Sequence, residues 1–387
     1  MENFRATWKM QHNFLVTLII VVVIIIAVVF IATTIQFGNF GKNGQEVIIG
    51  VSAPLTGPVA ALGIKAVNGM QLAVDEINNS GGVNGKQLKL VVEDDKCNAD
   101  EGVHTVNKLL NVDGTKSLVV YCGAVTGAIA PLVEEKALTL SISIRTEPLE
   151  GKYPELFNMA PSPQKEAEKM ANYIYSKDIK RVAILYQSDF FGGTYKDKFS
   201  TAFTKLGGTI TMTGTLDNTA QPDFKTDLIK AKDLNSKAIF SPFNAPQYAV
   251  ILKQAKELGY SPQFFSTWNI ESPQLISTTG KLADGIIYTY TFTPNTNSVY
   301  EKFRQNYFNK FGENPELNSA NGYDSISILA QAIMVCDENI MCMANEVQSI
   351  KDYQGTSGKI TFQNQMAEKE IFIKTIKEGK FVVLDAN

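Results

Sequence analysis

Apolar residues along this chain come in short β-like runs separated by longer stretches with helical spacing. The runs Val47–Val51, Leu88–Val92, Leu118–Tyr121 and Thr139–Ile144 predict strands. Between them, Ile64–Asn79, Asp100–Asn111 and Thr126–Lys136 predict helices. In the first of these, Val67, Met70, Val74 and Ile77 follow at intervals of 3, 4 and 3, which puts them on one face. The turn GGVNGK then ends it with glycine and an Asn-Gly pair. Strands alternating with helices in this way predict βαβ units on a parallel sheet.

The pattern restarts after MAPSPQ (Met159 to Gln164). Helices are predicted at Lys165–Lys177, Thr194–Leu206, Asp223–Lys232 and Pro246–Leu258. Strands are predicted at Arg181–Tyr186, Thr209–Thr213, Ala238–Phe240 and Gln263–Ser266. Two successive α/β halves of similar size predict two lobes. The tail differs, with two helices (Ser298–Phe311 and Ser319–Val335) followed by the hairpin-like pair GKITF and EIFIKTI. A tail with both kinds of element could complete both lobes, so that the chain crosses between them more than once.

The longest apolar run lies before all of this. Phe14 to Ile35 holds 22 residues without a charge. As a helix it would span about 33 Å, the thickness of a bilayer's hydrocarbon core. A cleavable signal peptide has a shorter apolar region and a small-x-small cleavage site, which Ala32-Thr33-Thr34 matches poorly. The run therefore predicts an uncleaved transmembrane anchor at 14–35. Arg5 and Lys9 outnumber Glu2 in the tail at 1–13, which places that tail in the cytoplasm and the rest of the chain outside. The glycine-rich segment at 36–46 reads as a flexible linker.

Composition narrows the possible functions. Lys and Arg number 36 against 39 Asp and Glu, a net charge of −3, which argues against a nucleic-acid partner. Four cysteines (Cys97, Cys122, Cys336 and Cys342) in an exported chain favour disulfides over buried free thiols. Zinc is disfavoured, because there is no C-x-x-C and the only histidines are His12 and His104. No catalytic motif appears, and Ser188-Asp189 has no histidine to complete a triad, so an enzyme is not expected. No cofactor is expected either.

Open parallel sheets bind ligands outside the carboxyl ends of their strands. The turns that matter are then 52–63, 93–99, 122–127 and 144–148 in the first lobe, and 187–193, 241–246 and 267–272 in the second. The first of them, SAPLTGPVAALG, has two prolines, two glycines and a threonine between a strand and a helix, but no phosphate-loop motif.

These turns and their neighbours resemble the type I periplasmic binding proteins, specifically the branched-chain amino-acid-binding family of ABC transporters. The resemblance is carried by IGVSAPLTGPVAALG, by GMQLAVDEINNSGGVNGKQLKLVVEDDKC and by YCGAVTGAIAPLVEE. It extends through VAILYQSDFFGG, LKQAKELGY and YQGTSGKITF. It implies an α/β fold of two Rossmann-like lobes joined by three crossover segments. Lobe 1 would comprise 47–161 and 293–355, and lobe 2 would comprise 162–292 and 356–387. The resemblance also pairs Cys97 with Cys122, while a Cys336–Cys342 bond would staple a short loop between tail helices. Glu93, Asp94 and Asp95 look like a metal cluster, but the family carries an acidic pair there without metal.

By the same resemblance, a ligand would meet Leu62, Gly123, Ala124, Thr126, Arg145 and Thr146 on the first lobe, and Phe191, Asn244 and Trp268 on the second. Family members hold an α-carboxylate with hydroxyls and N–H groups of the first lobe and an ammonium with an acid of the second. That acid falls on Trp268 here, and the family's serine falls on Gly123. Glu271 or Asp189 could replace the acid, or Trp268 could offer a cation–π face. Arg145 could pair a carboxylate. Each residue also has a plainer reading. Thr146 could cap a turn, Arg145 could bind Glu147 or Glu150, and Trp268 could be packing. The expected function is a membrane-anchored substrate-binding protein that captures an amino acid or related carboxylate for an ABC permease. A ligand-sensing receptor domain signalling through a partner protein is the alternative, and a lobe pair that has lost its ligand is a third.

Overall fold

The computed structural model describes residues 46–142, 151–216, 222–292 and 298–385. The tail at 1–13, the anchor expected at 14–35 and all of the linker but Glu46 lie outside them. Among the described residues no helix is long and apolar enough to cross a membrane.

The chain builds two sheets. The first opens with β1 (Val47–Ala53), α1 (Ala60–Asn79), β2 (Leu88–Asp94) and α2 (Ala99–Asn111). It continues with β3 (Ser117–Val120), α3 (Gly123–Val133), β4 (Leu138–Ser141) and β5 (Leu156–Asn158). The second takes α4 (Pro163–Ser176), β6 (Arg181–Gln187), α5 (Phe190–Lys205), β7 (Thr209–Leu216) and α6 (Lys225–Asp233). It goes on through β8 (Ala238–Phe240), α7 (Ala245–Glu257), β9 (Gln263–Ser266), α8 (Pro273–Thr279) and β10 (Ile287–Tyr290). The tail adds α9 (Ser298–Phe311), α10 (Leu317–Cys336), α11 (Ile340–Ser349) and β11 to β15. Those strands are Tyr353–Gly355, Gly358–Gln363, Met366–Glu368, Phe372–Lys377 and Lys380–Asp385.

Strand order in the first sheet is β11-β12-β13-β5-β4-β3-β1-β2, and in the second β15-β14-β10-β9-β8-β6-β7. Strands β1 to β5 run parallel, as do β6 to β10. Both sheets are doubly wound. From β1 the chain goes one way to β2 and then back to β3, and from β6 one way to β7 and back to β8. Two-sided cover explains why VIIGVSA reads as a nearly unbroken apolar run instead of alternating, since Ile49, Val51 and Ala53 are fully buried.

Three passages join the sheets: from β5 to α4, from β10 to α9, and from β13 to β14. The last corrects the expected tail. GKITF and EIFIKTI do not form a hairpin. The former lies in β12 and pairs with β11 and β13 in the first sheet, and the latter supplies β14, paired with β10 and β15 in the second. Residues 356–368, grouped by sequence with lobe 2, therefore belong to the first sheet, and the chain leaves that sheet only after Glu368.

A buried polar network fixes that exit. Asp324 on α10 accepts from the N–H and hydroxyl of Thr356 at 2.7 and 2.8 Å, and from those of Ser357 at 2.8 and 2.6 Å. Lys369, one residue past β13, donates to Asn321 Oδ1 and Ser357 Oγ, both at 2.6 Å. Burial pushes the Asp324 carboxyl up and the Lys369 amine down to about 8, and each partner's charge opposes the other's shift.

The disulfides Cys97–Cys122 and Cys336–Cys342 both form. The first joins the turns after β2 and β3, and the second joins the end of α10 to the start of α11. Replacing both Cys97 and Cys122 by alanine should lower stability by about 3 kcal/mol in urea unfolding, since their loop spans 25 residues. Asp324→Ala strands a buried ammonium and should cost about 3–5 kcal/mol in the same measurement. An unchanged midpoint would mean that Lys369 does not depend on it.

Candidate functional site

The points at which the winding reverses lie between β1 and β3 and between β6 and β8, and crevices open at the carboxyl ends of such strands. On the first sheet this places SAPLTGPVAALG at the end of β1. Its turn is held by the acids after β2. Asp94 accepts from Leu55 N at 2.9 Å and Thr56 Oγ1 at 2.6 Å, and Asp95 from Ser52 Oγ and Cys97 N, both at 2.8 Å. Glu93 turns aside to pair with Lys108. The three acids are thus engaged separately with turn and helix. Gly63 lets α1 close onto this turn, because a Cβ there would stand 2.1 Å from the Pro54 carbonyl oxygen. Leu62 beside it is half-buried against the first-sheet core.

At the end of β3, α3 begins after Cys122 with no side-chain cap. Gly123 and Ala124 form its first turn, half-buried and exposed respectively, and N–H groups of a first helical turn have no partner within their helix. Thr126 behaves differently from its neighbours. It is fully buried, and its hydroxyl donates to the Cys122 carbonyl at 2.9 Å and lies 2.9 Å from Ser141 Oγ. That hydroxyl ties α3 to β4 and does not face outward. Arg145 and Thr146 lie outside the described residues.

On the second sheet the predicted residues come together. The Phe191 and Trp268 rings meet edge to face with centroids 6.1 Å apart. Asn244, the residue before α7, accepts from Asn269 Nδ2 at 2.9 Å and reaches Gln187 Oε1 at 3.5 Å. The α7 N-terminus also lacks a side-chain cap. Gln187 donates to Asp189 at 2.9 Å, and Asp189 caps α5 by accepting from Gly192 N at 2.8 Å. Here too a glycine allows the close approach, since a Cβ on Gly192 would stand 2.1 Å from the Gln187 carbonyl oxygen.

Both acids considered as a replacement for the family's ammonium partner already have partners. Asp189 is occupied by its cap, and burial pushes its carboxyl up. Glu271 is bonded to the buried Lys374 at 2.5 Å and receives the Tyr288 hydroxyl at 2.5 Å. Burial pushes the Glu271 carboxyl up, against the pull of Lys374. Lys374 itself stands 4.4 Å from the Tyr290 ring centroid. Gln187, Asn269 and the Glu271–Lys374 pair were not singled out as a connected set by sequence, because strands and loops far apart in the chain bring them together.

A family model for "periplasmic binding protein" matches residues 46–380. The chain belongs to the type I periplasmic binding protein family. It is 25% identical over 322 residues to "Leu/Ile/Val-binding protein homolog 1" of Brucella suis, across 80% of this chain and 84% of that one. Among solved structures it is similar to a leucine binding protein, LivK, of Thermotoga maritima (TM-score 0.79, 25% identity, 88% of this chain and 98% of that one). It also shares its fold with a solute-binding protein of R. palustris in complex with benzoate (TM-score 0.78, 15% identity, 88% and 96%). Members of this family are substrate-binding proteins and not enzymes, and this extracytoplasmic solute-binding chain is one of them.

The pairing of Glu271 has a direct test. Lys374→Met leaves a buried carboxylate without its counter-charge and should destabilise the protein by about 3–5 kcal/mol. Adding Glu271→Gln should recover part of that loss in denaturant unfolding. A double variant no more stable than Lys374→Met would show that the two side chains act independently.

Proposed function

We propose that this chain is the membrane-anchored substrate-binding component of an ABC importer, and that it captures a small carboxylate with an apolar or aromatic body between its lobes. The observation that carries the reading is the division of chemistry between the two switch points. The first lobe offers uncapped N–H groups at Gly123 and Ala124, at the positive end of α3, which suit a carboxylate. The second offers Phe191, Trp268 and the amides of Asn244 and Asn269, with both nearby acids already engaged. An amino acid's ammonium would have to share Asp189 with its helix cap or rest on the face of Trp268, which could contribute about 0.5–2 kcal/mol. An amine-free or aromatic carboxylate needs neither. The leucine binding protein and the benzoate complex among its structural neighbours bracket these two ligand types.

Capture then works by hinge closure. A ligand touching both lobes stabilises the closed arrangement, and the three passages between the sheets absorb the rotation. The apolar run at 14–35 and the glycine-rich segment after it would hold the body at the outer face of the membrane beside its permease.

A thermal-shift panel on the full chain in detergent, with L-leucine and benzoate as first probes, tests the ligand class. At 100 times its dissociation constant a ligand adds about 2.7 kcal/mol, enough to raise the melting temperature measurably. Benzoate should shift the midpoint more than L-leucine. Trp268→Ala should reduce the benzoate shift while leaving the unliganded midpoint within a few degrees. Silence toward every small carboxylate in the panel would sink the proposal.

A further inference from the structure

The linker expected at 36–46 ends on Glu46, and the contacts around Val47 show which end of the first lobe it enters. Val47 N donates to the Gln87 carbonyl at 2.9 Å. One residue before Gln87, Lys86 pairs with Asp337 at 3.1 Å, and Asn84 Nδ2 donates to the Met334 carbonyl at 3.2 Å. Thr115, in the loop before β3, donates to the Ile48 carbonyl at 2.8 Å. The end of α10, the disulfide turn after it and the end of α2 therefore surround the point where the linker joins. All of them stand at the amino ends of β1, β2 and β3.

This pole of the lobe is apolar toward solvent. Among the described residues the three most exposed large apolar side chains are Val112 at 75%, Val335 at 61% and Met334 at 55%. Met334 and Val335 lie in the last turn of α10, and Val112 follows the last residue of α2. Met341, beside the Cys336–Cys342 bond, is 45% exposed. Charges around the patch are paired: Lys86 with Asp337, Lys89 with Glu46, and Lys108 with Asp113. An exposed apolar patch rimmed by polar groups marks an interaction surface, and the pairing leaves little field to attract a charged partner. Four side chains are far fewer than the roughly 20–30 residues a side of a stable protein interface, so a second copy of this chain would not be held here.

We propose that this pole of the first lobe rests on the lipid bilayer in which the chain is anchored, with Val112, Met334, Val335 and Met341 as its contact. The inference rests on the anchor proposed above. A flexible linker of 11 residues spans about 18 Å on average and at most about 40 Å, which keeps the pole beside the headgroups. Tethering makes the contact intramolecular, at an effective concentration on the order of millimolar, so a patch too small to bind from solution suffices. The Cys336–Cys342 bond keeps Val335 and Met341 close together, which lowers the ordering cost of seating them. The proposed cleft lies at the carboxyl ends of the same strands, so seating their amino ends on the membrane leaves ligand entry clear.

Contact can be read directly with the full-length protein in phosphatidylcholine vesicles. A fraction of the lipid carries a photoactivatable diazirine near its headgroup. After illumination and digestion, label should appear on the peptides that hold Met334 to Met341 and Val112, as well as on 14–35. Met334→Gln combined with Val335→Gln should lower the label at 334–341 by about tenfold or more, and leave that on 14–35 unchanged. Should that variant fail to fold, Val112→Gln decides in its place, by loss of label from its own peptide. Label on 14–35 alone overturns the proposal while the anchor reading stands, and label at the pole that persists in the folded variants overturns it too. Label at the pole with none on 14–35 rejects the anchor and leaves the docking standing. Label on neither overturns both.

Discussion

The two-lobed arrangement depends on how the chain is held where it passes between the sheets, and the most constrained of those points is built around one carboxylate. Asp324 is buried in a helix of the first lobe and takes four hydrogen bonds from Thr356 and Ser357. Those two residues form the turn between β11 and β12, and Ser357 in turn holds Lys369. A buried charge without partners is costly enough that the turn, the lysine and the helix must be placed together or not at all. The third passage is therefore anchored at its first-lobe end, and the second lobe begins from a defined point at Phe372. Rigid ends of this kind leave rotation to the few residues between them, as hinge closure requires.

The second lobe solves a related problem at the carboxyl ends of its strands. Glu271 is paired with Lys374 and Glu166 is buried against Thr289, while Asp189 caps a helix. Beside them stand the Phe191 and Trp268 rings and the amides of Asn244 and Asn269. Such a surface recognises shape and hydrogen-bond pattern more than charge. On the first lobe the proposed recognition elements are backbone N–H groups, whose direction is fixed by the helix and does not depend on a side-chain rotamer. Preorganisation of both kinds reduces the ordering cost of binding.

Much of this was legible in the sequence. The alternation of apolar runs with 3.6-residue periodicity located most strands and helices, because burial on both faces leaves a continuous apolar run and burial on one face leaves a stripe. The motif at 52–63 and the cysteine after the acidic pair carried enough specificity to indicate the family and the Cys97–Cys122 bond. Strands β5, β10 and β15 were not predicted, and β5 and β10 have only three and four residues in which to show a period. The tail was misassigned for a related reason. Local pattern identifies a strand but not its partner, and GKITF and EIFIKTI are equally suited to either sheet.

The site divides along the same line. By itself the sequence determined which turns lie at the carboxyl ends of strands, and hence that Leu62, Gly123, Ala124, Phe191, Asn244 and Trp268 stand at them. Those positions follow from local order along the chain. Only the tertiary structure decided what each polar group is free to do: that the Thr126 hydroxyl is turned inward, that Glu271 already has a lysine, and that Glu166 is buried against Thr289. A side chain's chemistry is fixed by its type, but its availability depends on partners hundreds of residues away. Those partners are chosen by packing, and packing is not written in any local pattern.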